Sequence, residues 1–271
     1  MWNKKADSYD KWYETFHGSV ENYVDWELLK KYLPKDKSAR ILDAAGGTGR
    51  ITLPLAKIGY SVTLCDISPG MLDVAKQKML REGVLDRVKI LECDIRNLDF
   101  DDESFDFVLC WNGAAEAAKE LVRVTKKGGK ISLYLVNRCR GAFDLFAEDP
   151  ALSLELIKSR SNYIKNHEEV YRVVSEPEGR KLLEAEGIKV LGVYAVCGWM
   201  DMLHIQEKVQ NSHDWDEQFF VQTTKMVLRL SGEPSVKRNI KTPGPLWREN
   251  VNRLAHARDH LLTHVRCVFC F

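Results

Sequence analysis

Ile41-Leu42-Asp43-Ala44-Ala45-Gly46-Gly47-Thr48-Gly49-Arg50 is an apolar strand that runs into a turn of small residues and from there into a helical pattern. Small side chains from Ala44 to Gly49 let the backbone reverse sharply and come close to a ligand, and the helix that follows aims its unpaired N–H groups at the same place. A glycine turn alone says little. Its continuation says more: Val62-Thr63-Leu64-Cys65-Asp66 is a second apolar strand ending in a carboxylate, one strand-helix-strand step downstream, where the hydroxyls of a ribose would be read. Together the two strands imply a doubly wound, Rossmann-like α/β sheet, mostly parallel, with a nucleotide-like ligand at the carboxyl ends of its strands.

The glycine spacing separates two kinds of ligand. A nicotinamide fingerprint starting at Gly47 needs a glycine where Thr52 stands, and one starting at Gly46 needs glycines where Thr48 and Ile51 stand. From Asp43 to Gly49 the turn resembles instead the acidic-then-glycine motif of class I S-adenosylmethionine-dependent methyltransferases, with Ala45 where that family often has its first glycine. Further matches follow in the family's order. Asp66-Ile67-Ser68-Pro69-Gly70-Met71 resembles the ribose-binding segment, Ile90 to Ile95 the third motif, Phe105 to Cys110 the fourth strand, and Leu121 to Ile131 the helix, turn and fifth strand. The resemblance covers roughly residues 38 to 137.

It implies a seven-stranded sheet and S-adenosyl-L-methionine as cofactor, touched by Ala45, Gly46, Gly47, Asp66, Ile67, Met71, Asp94, Ile95 and Trp111. Asp66 would take the ribose hydroxyls and Asp94 the adenine amino group, beside the apolar Ile95. In similar methyltransferases an N-terminal segment with tyrosines folds over the donor, which brings in Tyr9 and Tyr13. From Phe105 to Gly129 the chain is shorter than the family usually is, and Trp111-Asn112-Gly113 runs almost directly into a helix at Ala114. The missing piece normally forms part of the wall between donor and acceptor, so the site is either open there or lacks a loop near Gly113.

Local patterns give the same elements independently. Ser68 suits a helix N-cap and Pro69 the first helical position, and Met71, Leu72, Ala75, Met79 and Leu80 recur at helical spacing until Gly83. Residues 1–38 read as a helical N-terminal cap, in which Tyr9, Trp12, Tyr13 and Phe16 are followed by an amphipathic run through Val20, Val24, Leu28, Leu29 and Leu33 up to Pro34. Residues 39–140 form the cofactor-binding core. After it come a lid insertion at 141–176 with helical patterns around Leu152 to Tyr163, a core helix and strand at 177–198, a second lid at 199–262, and a final strand at 263–271. Insertions at the carboxyl ends of strands lie over the crevice, so the lids would select the acceptor.

Composition narrows the partners. With 40 Lys and Arg against 39 Asp and Glu there is no global pull toward nucleic acid, which favours a small-molecule acceptor and keeps RNA as the alternative, since a local basic patch would not show in the sum. No leader-like segment opens the chain and nowhere do eighteen apolar residues run together, so the expectation is a cytoplasmic enzyme without a membrane partner. Seven cysteines, several of them on strands (Cys65, Cys93, Cys110), read as reduced core residues. Cys267 and Cys270 lack a second pair to complete a zinc site. His256, His260 and His264, four apart, would lie along one face of a helix, with Asp259, the one nearby carboxylate, pointing elsewhere, and no metal is assigned.

Methyl transfer asks for little catalytic apparatus. It is an in-line displacement at a sulfonium, served by holding the acceptor on the methyl axis and excluding water. A base is needed only where the nucleophile must lose a proton. His204 is the one candidate base, and the oligomeric state is open. The reading is therefore a methyltransferase acting on a small molecule. A more diffuse resemblance to enzymes that methylate a carboxymethoxy group on wobble uridine of transfer RNA carries the RNA alternative. A non-catalytic S-adenosylmethionine-binding protein and a nicotinamide-dependent oxidoreductase are the readings from other classes.

Overall fold

The computed structural model describes residues 2–111, 114–137, 163–166, 169–196 and 266–270. Five parallel strands make its centre: β1 Arg40–Ala44, β2 Ser61–Asp66, β3 Val88–Glu92, β4 Phe105–Cys110 and β5 Thr125–Asn137, in the spatial order β3-β2-β1-β4-β5. Ile41 pairs with Val62 on one side and with Phe107 on the other. The winding direction therefore reverses between β1 and β4, and the crevice at their carboxyl ends is where ligands of such sheets bind.

β1, β2, β4 and the middle of β5 are buried on both faces, as a parallel sheet demands, while β3 at the edge is only partly covered. Ile41, Val62, Phe107, Leu109 and Tyr134 face one layer, which holds α2 (Phe16–Leu29) and α3 (Thr52–Lys57). Leu64 continues that face beneath α4 (Pro69–Arg81). Leu42, Ala44, Val108, Cys110 and Leu133 face the opposite layer, with α5 (Ala114–Val124) and Leu183 of α6 (Glu176–Ala185). In α4 the Ser68 hydroxyl accepts the Met71 N–H, and Met71, Leu72, Ala75 and Met79 are buried. Leu80, which the spacing put on the same face, is half exposed, because it follows Met79 by a single residue and is turned about 100° away from it.

The N-terminal aromatics do not share one helix. α1 (Trp2–Tyr9) ends at Tyr9, a 3-10 turn covers Asp10–Glu14, and α2 starts only at Phe16. Thr15 makes the break: its hydroxyl donates to the Trp12 carbonyl and accepts the Gly18 N–H. Gly18 is required there, since a Cβ would stand 2.0 Å from the Trp12 carbonyl oxygen. From the break onward the periodicity holds, and Val20, Val24, Leu28 and Leu29 are all fully buried.

Beyond β5 the sheet forks. β9 (Arg266–Cys270) lies antiparallel to Ser132–Leu135, and β8 (Gly192–Val196) lies antiparallel to β9. Further along, Val136 and Asn137 pair in parallel with β7 (Glu169–Val174), which forms a hairpin with β6 (Tyr163–Asn166). Among the described residues the sheet has nine strands, with the hairpin of β6 and β7 added to the mostly parallel pattern expected. The extra hairpin falls in the insertion for which the sequence suggested helices, and Tyr163 opens a strand. Residues 152–162 lie outside the described residues. Glu169-Val170-Tyr171-Arg172-Val173-Val174 is rich in β-branched and aromatic side chains, which suit a pleated surface. Among the described residues no helix is long and apolar enough to cross a membrane.

Phe107, at the sheet centre, is 0% exposed. Phe107→Ala is expected to lower stability by about 3–5 kcal/mol, read from denaturant midpoints at unchanged slope; a loss under about 1 kcal/mol would mean that this face of the sheet is not the packed core described.

Candidate functional site

The crevice is shaped by the turn after β1. Ala45 and Gly47 both have φ near +55°. Gly47 is suited to that conformation, while Ala45 holds it at a cost of about 1–2 kcal/mol, the price of its Cβ. The turn is then tied down: Gly46 N–H donates to the Cys65 carbonyl at 3.1 Å, Gly47 N–H to Asp66 Oδ2 at 2.9 Å, and Gly49 N–H to the Gly46 carbonyl at 2.9 Å. This changes the expectation drawn from the glycines. Those three N–H groups serve the protein itself, and the turn offers a ligand its bare backbone surface at Gly47, where a Cβ would have only Asp66 as a neighbour, at 4.0 Å.

Two carboxylates sit under this turn with different surroundings. Asp43 is buried, accepts the Thr52 hydroxyl at 2.6 Å, and has its pKa pushed up to about 6 by burial, against the pull of the Thr52 hydroxyl and the Arg50 charge. It organises the turn from below. Asp66, at the end of β2, is 9% exposed and accepts the Ser68 N–H as well as that of Gly47. Burial raises its pKa, and the N–H groups of Ser68, Gly47 and Ile67 oppose the rise. A carboxylate has about four lone-pair sites, so Asp66 keeps acceptor capacity beyond its protein partners.

The remaining candidates gather around these two strand ends. Met71 is buried on α4, Ile95 is half-buried, and Ile67 beside Asp66 is 58% exposed, a large apolar surface at the mouth of the crevice. The Asp94 carboxylate receives the Arg96 guanidinium on both oxygens, from Nε at 2.9 and 3.1 Å. Those bonds and the Arg96 backbone N–H hold its pKa at about 2. Trp111, just past β4, is buried, donates from Nε1 to Ser132 Oγ at 3.0 Å, and stacks on Tyr134 with ring centroids 4.5 Å apart. Tyr9 and Tyr13 meet edge to face at 5.8 Å in the cap. His204, the histidines at 256, 260 and 264, Asn112 and Gly113, and the whole of the segment 199–262 expected to form a second lid lie outside the described residues.

Sequence reasoning missed how the cap attaches. Asp10 accepts the Thr48 hydroxyl at 2.7 Å and pairs with Lys78 at 2.6 Å, so one side chain of the 3-10 turn joins the glycine turn to α4. Asn3 Oδ1 accepts from the Ser68 hydroxyl at 2.6 Å and from the Gly70 N–H at 2.9 Å, at the start of α4. Arg50 reaches α2, where it meets Asn22 and Asp25, and Tyr134 donates its hydroxyl to Asp25 from beneath. The only trace in the sequence was polar residues interrupting an aromatic, helical segment. Turn and cap are thus a single assembly: α1 and the 3-10 turn are bonded to the two loops that flank the acidic strand end.

Comparison with known proteins bears on this geometry. Residues 41–129 match the family model described as a methyltransferase domain. The ubiquinone/menaquinone biosynthesis C-methyltransferase UbiE of Stutzerimonas stutzeri (strain A1501) is 31% identical over 182 residues, which cover 61% of this chain and 71% of that protein. The demethylmenaquinone methyltransferase of Clavibacter sepedonicus is 36% identical over 175 residues, 60% of this chain and 69% of that protein. Among solved structures, a SAM-dependent methyltransferase from Methanosarcina mazei superposes with a TM-score of 0.52 at 22% identity, over 62% of this chain and 87% of that one, a likeness of fold.

The raised pKa of Asp43 has a measurable consequence. Below about pH 4 the carboxyl is protonated in both folded and unfolded chains; as pH rises through about 6 the unfolded chain releases the proton more readily, so the contribution of Asp43 to stability is lost. Asp43→Asn, uncharged throughout, should therefore gain on the parent between pH 4.5 and 7.5, by on the order of 2–3 kcal/mol in urea titrations. A difference that stays constant with pH would show that Asp43 is ionised in the fold at no cost.

Proposed function

The chain belongs to the class I S-adenosylmethionine-dependent methyltransferases, and on that premise we propose that it methylates a small, ring-bearing molecule held between the N-terminal cap and the carboxyl ends of β1 and β4. The observation that carries this is the cap itself. Because Asp10 and Asn3 bond it to the glycine turn and to the start of α4, it stands beside the carboxyl ends of β1 and β2, where it would narrow the approach of an acceptor. A crevice narrowed in this way suits a small molecule better than a polynucleotide. The relatives above are named for the methylation of quinone precursors, which supports an acceptor of that size and a carbon as the atom methylated.

The residues present fit the donor. Gly47 presents backbone without a side chain, and Asp66 has spare acceptor capacity for two ribose hydroxyls. Ile67 and Ile95 would give apolar surface to the adenine and Asp94 an acceptor for its amino group, with Ala45, Gly46 and Met71 beside the same strand ends. S-adenosylmethionine brings a methyl group on a positively charged sulfonium, so the reaction needs alignment and exclusion of water more than proton chemistry. Tyr9, Tyr13 and Trp111 supply the apolar screen. An acceptor that is already anionic, or a carbon nucleophile, would need no base from the protein.

Two measurements test the reading. Asp66→Ala should weaken S-adenosylhomocysteine by about 1.5–3 kcal/mol in calorimetry, the scale for hydrogen bonds to a charged group; unchanged affinity would make Asp66 a purely structural acid. Incubation with methyl-labelled donor and fractionated cell extract should place the label in the small-molecule pool. Label confined to RNA would overturn the assignment of the acceptor.

A further inference from the structure

Two cysteines meet at the strand ends that border the crevice. Cys65 directly precedes Asp66 at the end of β2, and Cys93, just past β3, directly precedes Asp94. The ladder between these strands pairs Cys65 with Leu91 and Asp66 with Glu92, and the Cys93 N–H continues it by donating to the Asp66 carbonyl at 3.0 Å. Cys93 therefore stands two positions beyond Cys65 on the neighbouring strand, and the period of two puts both side chains on one face of the sheet. Both pack into the layer of Leu42, Ala44 and Leu98, Cys65 buried and Cys93 half-buried. The Cys65 thiol donates to the Cys93 sulfur; that bond, with burial, pushes the Cys65 pKa up, and it lowers the Cys93 pKa against burial and the charges of Asp66 and Asp94. The pair is asymmetric: a protected thiol that keeps its proton lies beside a more accessible one of greater thiolate character, the form that oxidants attack.

Both residues are mechanically tied to the site. The Gly46 N–H donates to the Cys65 carbonyl and the Ala45 N–H is directed at its sulfur, so a displacement of Cys65 is felt in the glycine turn, and Cys93 carries Asp94 with it. In a regular ladder, strands about 4.8 Å apart and two residues of about 3.3 Å rise set the Cα atoms of such a pair roughly 8 Å apart, beyond the ~7 Å that a disulfide spans without backbone movement. Joining the sulfurs therefore draws the two acid-bearing strand ends together. We propose that Cys65 and Cys93 are an oxidation site at which a peroxide closes a reversible disulfide, and that the closed bridge weakens the hold on S-adenosylmethionine. The second half of this rests on the methyltransferase reading; the first does not. The Cys93 sulfur attacks one oxygen of hydrogen peroxide, the O–O bond breaks, and the other oxygen leaves as water with the proton of the thiol, which leaves a sulfenic acid. The Cys65 sulfur then attacks the Cys93 sulfur; the S–S bond forms as the S–O bond breaks, and the hydroxyl leaves as a second water with the Cys65 proton. The two thiols supply the two electrons that reduce one peroxide to two waters. A bridge that needs backbone movement to close is readily reopened by a dithiol.

The test uses the full chain, first reduced, then treated with hydrogen peroxide, with one portion returned to dithiothreitol. After alkylation of the free thiols, digestion and mass spectrometry look for the peptide cross-linked through Cys65 and Cys93, and calorimetry with S-adenosylhomocysteine reads the site. The expected result is that cross-link, an affinity lower by about tenfold or more, the scale of one lost hydrogen bond to a charged group, and reversal of both by dithiothreitol. Cys93→Ser binds S-adenosylhomocysteine like the reduced parent and keeps that affinity in peroxide. Cys93 recovered as the free thiol or as its sulfinic acid, without the cross-link, overturns the pairing, whether or not the variant folds. A cross-link that leaves affinity unchanged, a peroxide effect that persists in Cys93→Ser, or a loss of affinity that accompanies loss of the folded circular dichroism spectrum overturns the effect on the donor. Failure of the reduced parent to bind S-adenosylhomocysteine is a different result: it refutes the donor reading, and the cross-linked peptide still decides the pairing.

Discussion

The hydrogen bond from the Gly47 N–H to Asp66 is the contact on which the rest of the site depends. It ties the turn after β1 to the end of β2, so that the two strands of the first crossover present one surface and not two independent loops. With Ala45 and Gly47 in the left-handed region, the turn stores strain that such ties must hold. The bond also opposes the burial that pushes the Asp66 pKa up. A carboxylate with acceptor sites left over is suited to reading a pair of hydroxyls.

The cap is attached in two physically different ways. α2 is part of the core: four fully buried aliphatic side chains, each contributing about 1.5–3 kcal/mol, anchor it on the sheet. α1 and the 3-10 turn bury Ala6 and, among the described residues, are joined to the glycine turn and α4 by the polar contacts of Asp10 and Asn3, bonds that net only about 0.5–1.5 kcal/mol each. The part of the cap nearest the glycine turn is therefore the more weakly held part. A segment that must admit one molecule and release another is drawn from the low-stability end of a fold for this reason.

Much of this was legible in the residues. A strand, a turn of small residues, a helix and a strand ending in an acid follow from local chemistry alone, because each needs a residue type at a fixed offset: Asp43, Gly47, Asp66, Ser68, Pro69 and Gly83 each mark the start or end of an element beside them. The break at Thr15 was harder, since aromatics at helical spacing continue across it and only the pairing of Thr15 with Gly18 marks the stop. Leu80 shows the same limit in miniature, an apolar residue that hydropathy alone puts inside and geometry puts half outside.

What the sequence by itself determined is the sheet's winding and the class of ligand at its crevice, since both follow from periodicity and short motifs in which every constraint is local. The tertiary structure alone decided that Arg50 finds Asp25, that Asp10 finds Thr48, and that β9 runs antiparallel along β5 while a hairpin occupies the remainder of that edge. The physical reason is range. A strand's own alternation says which face it buries but not which edge it joins, and a charged side chain's spacing says nothing of a partner 25 or 38 residues away.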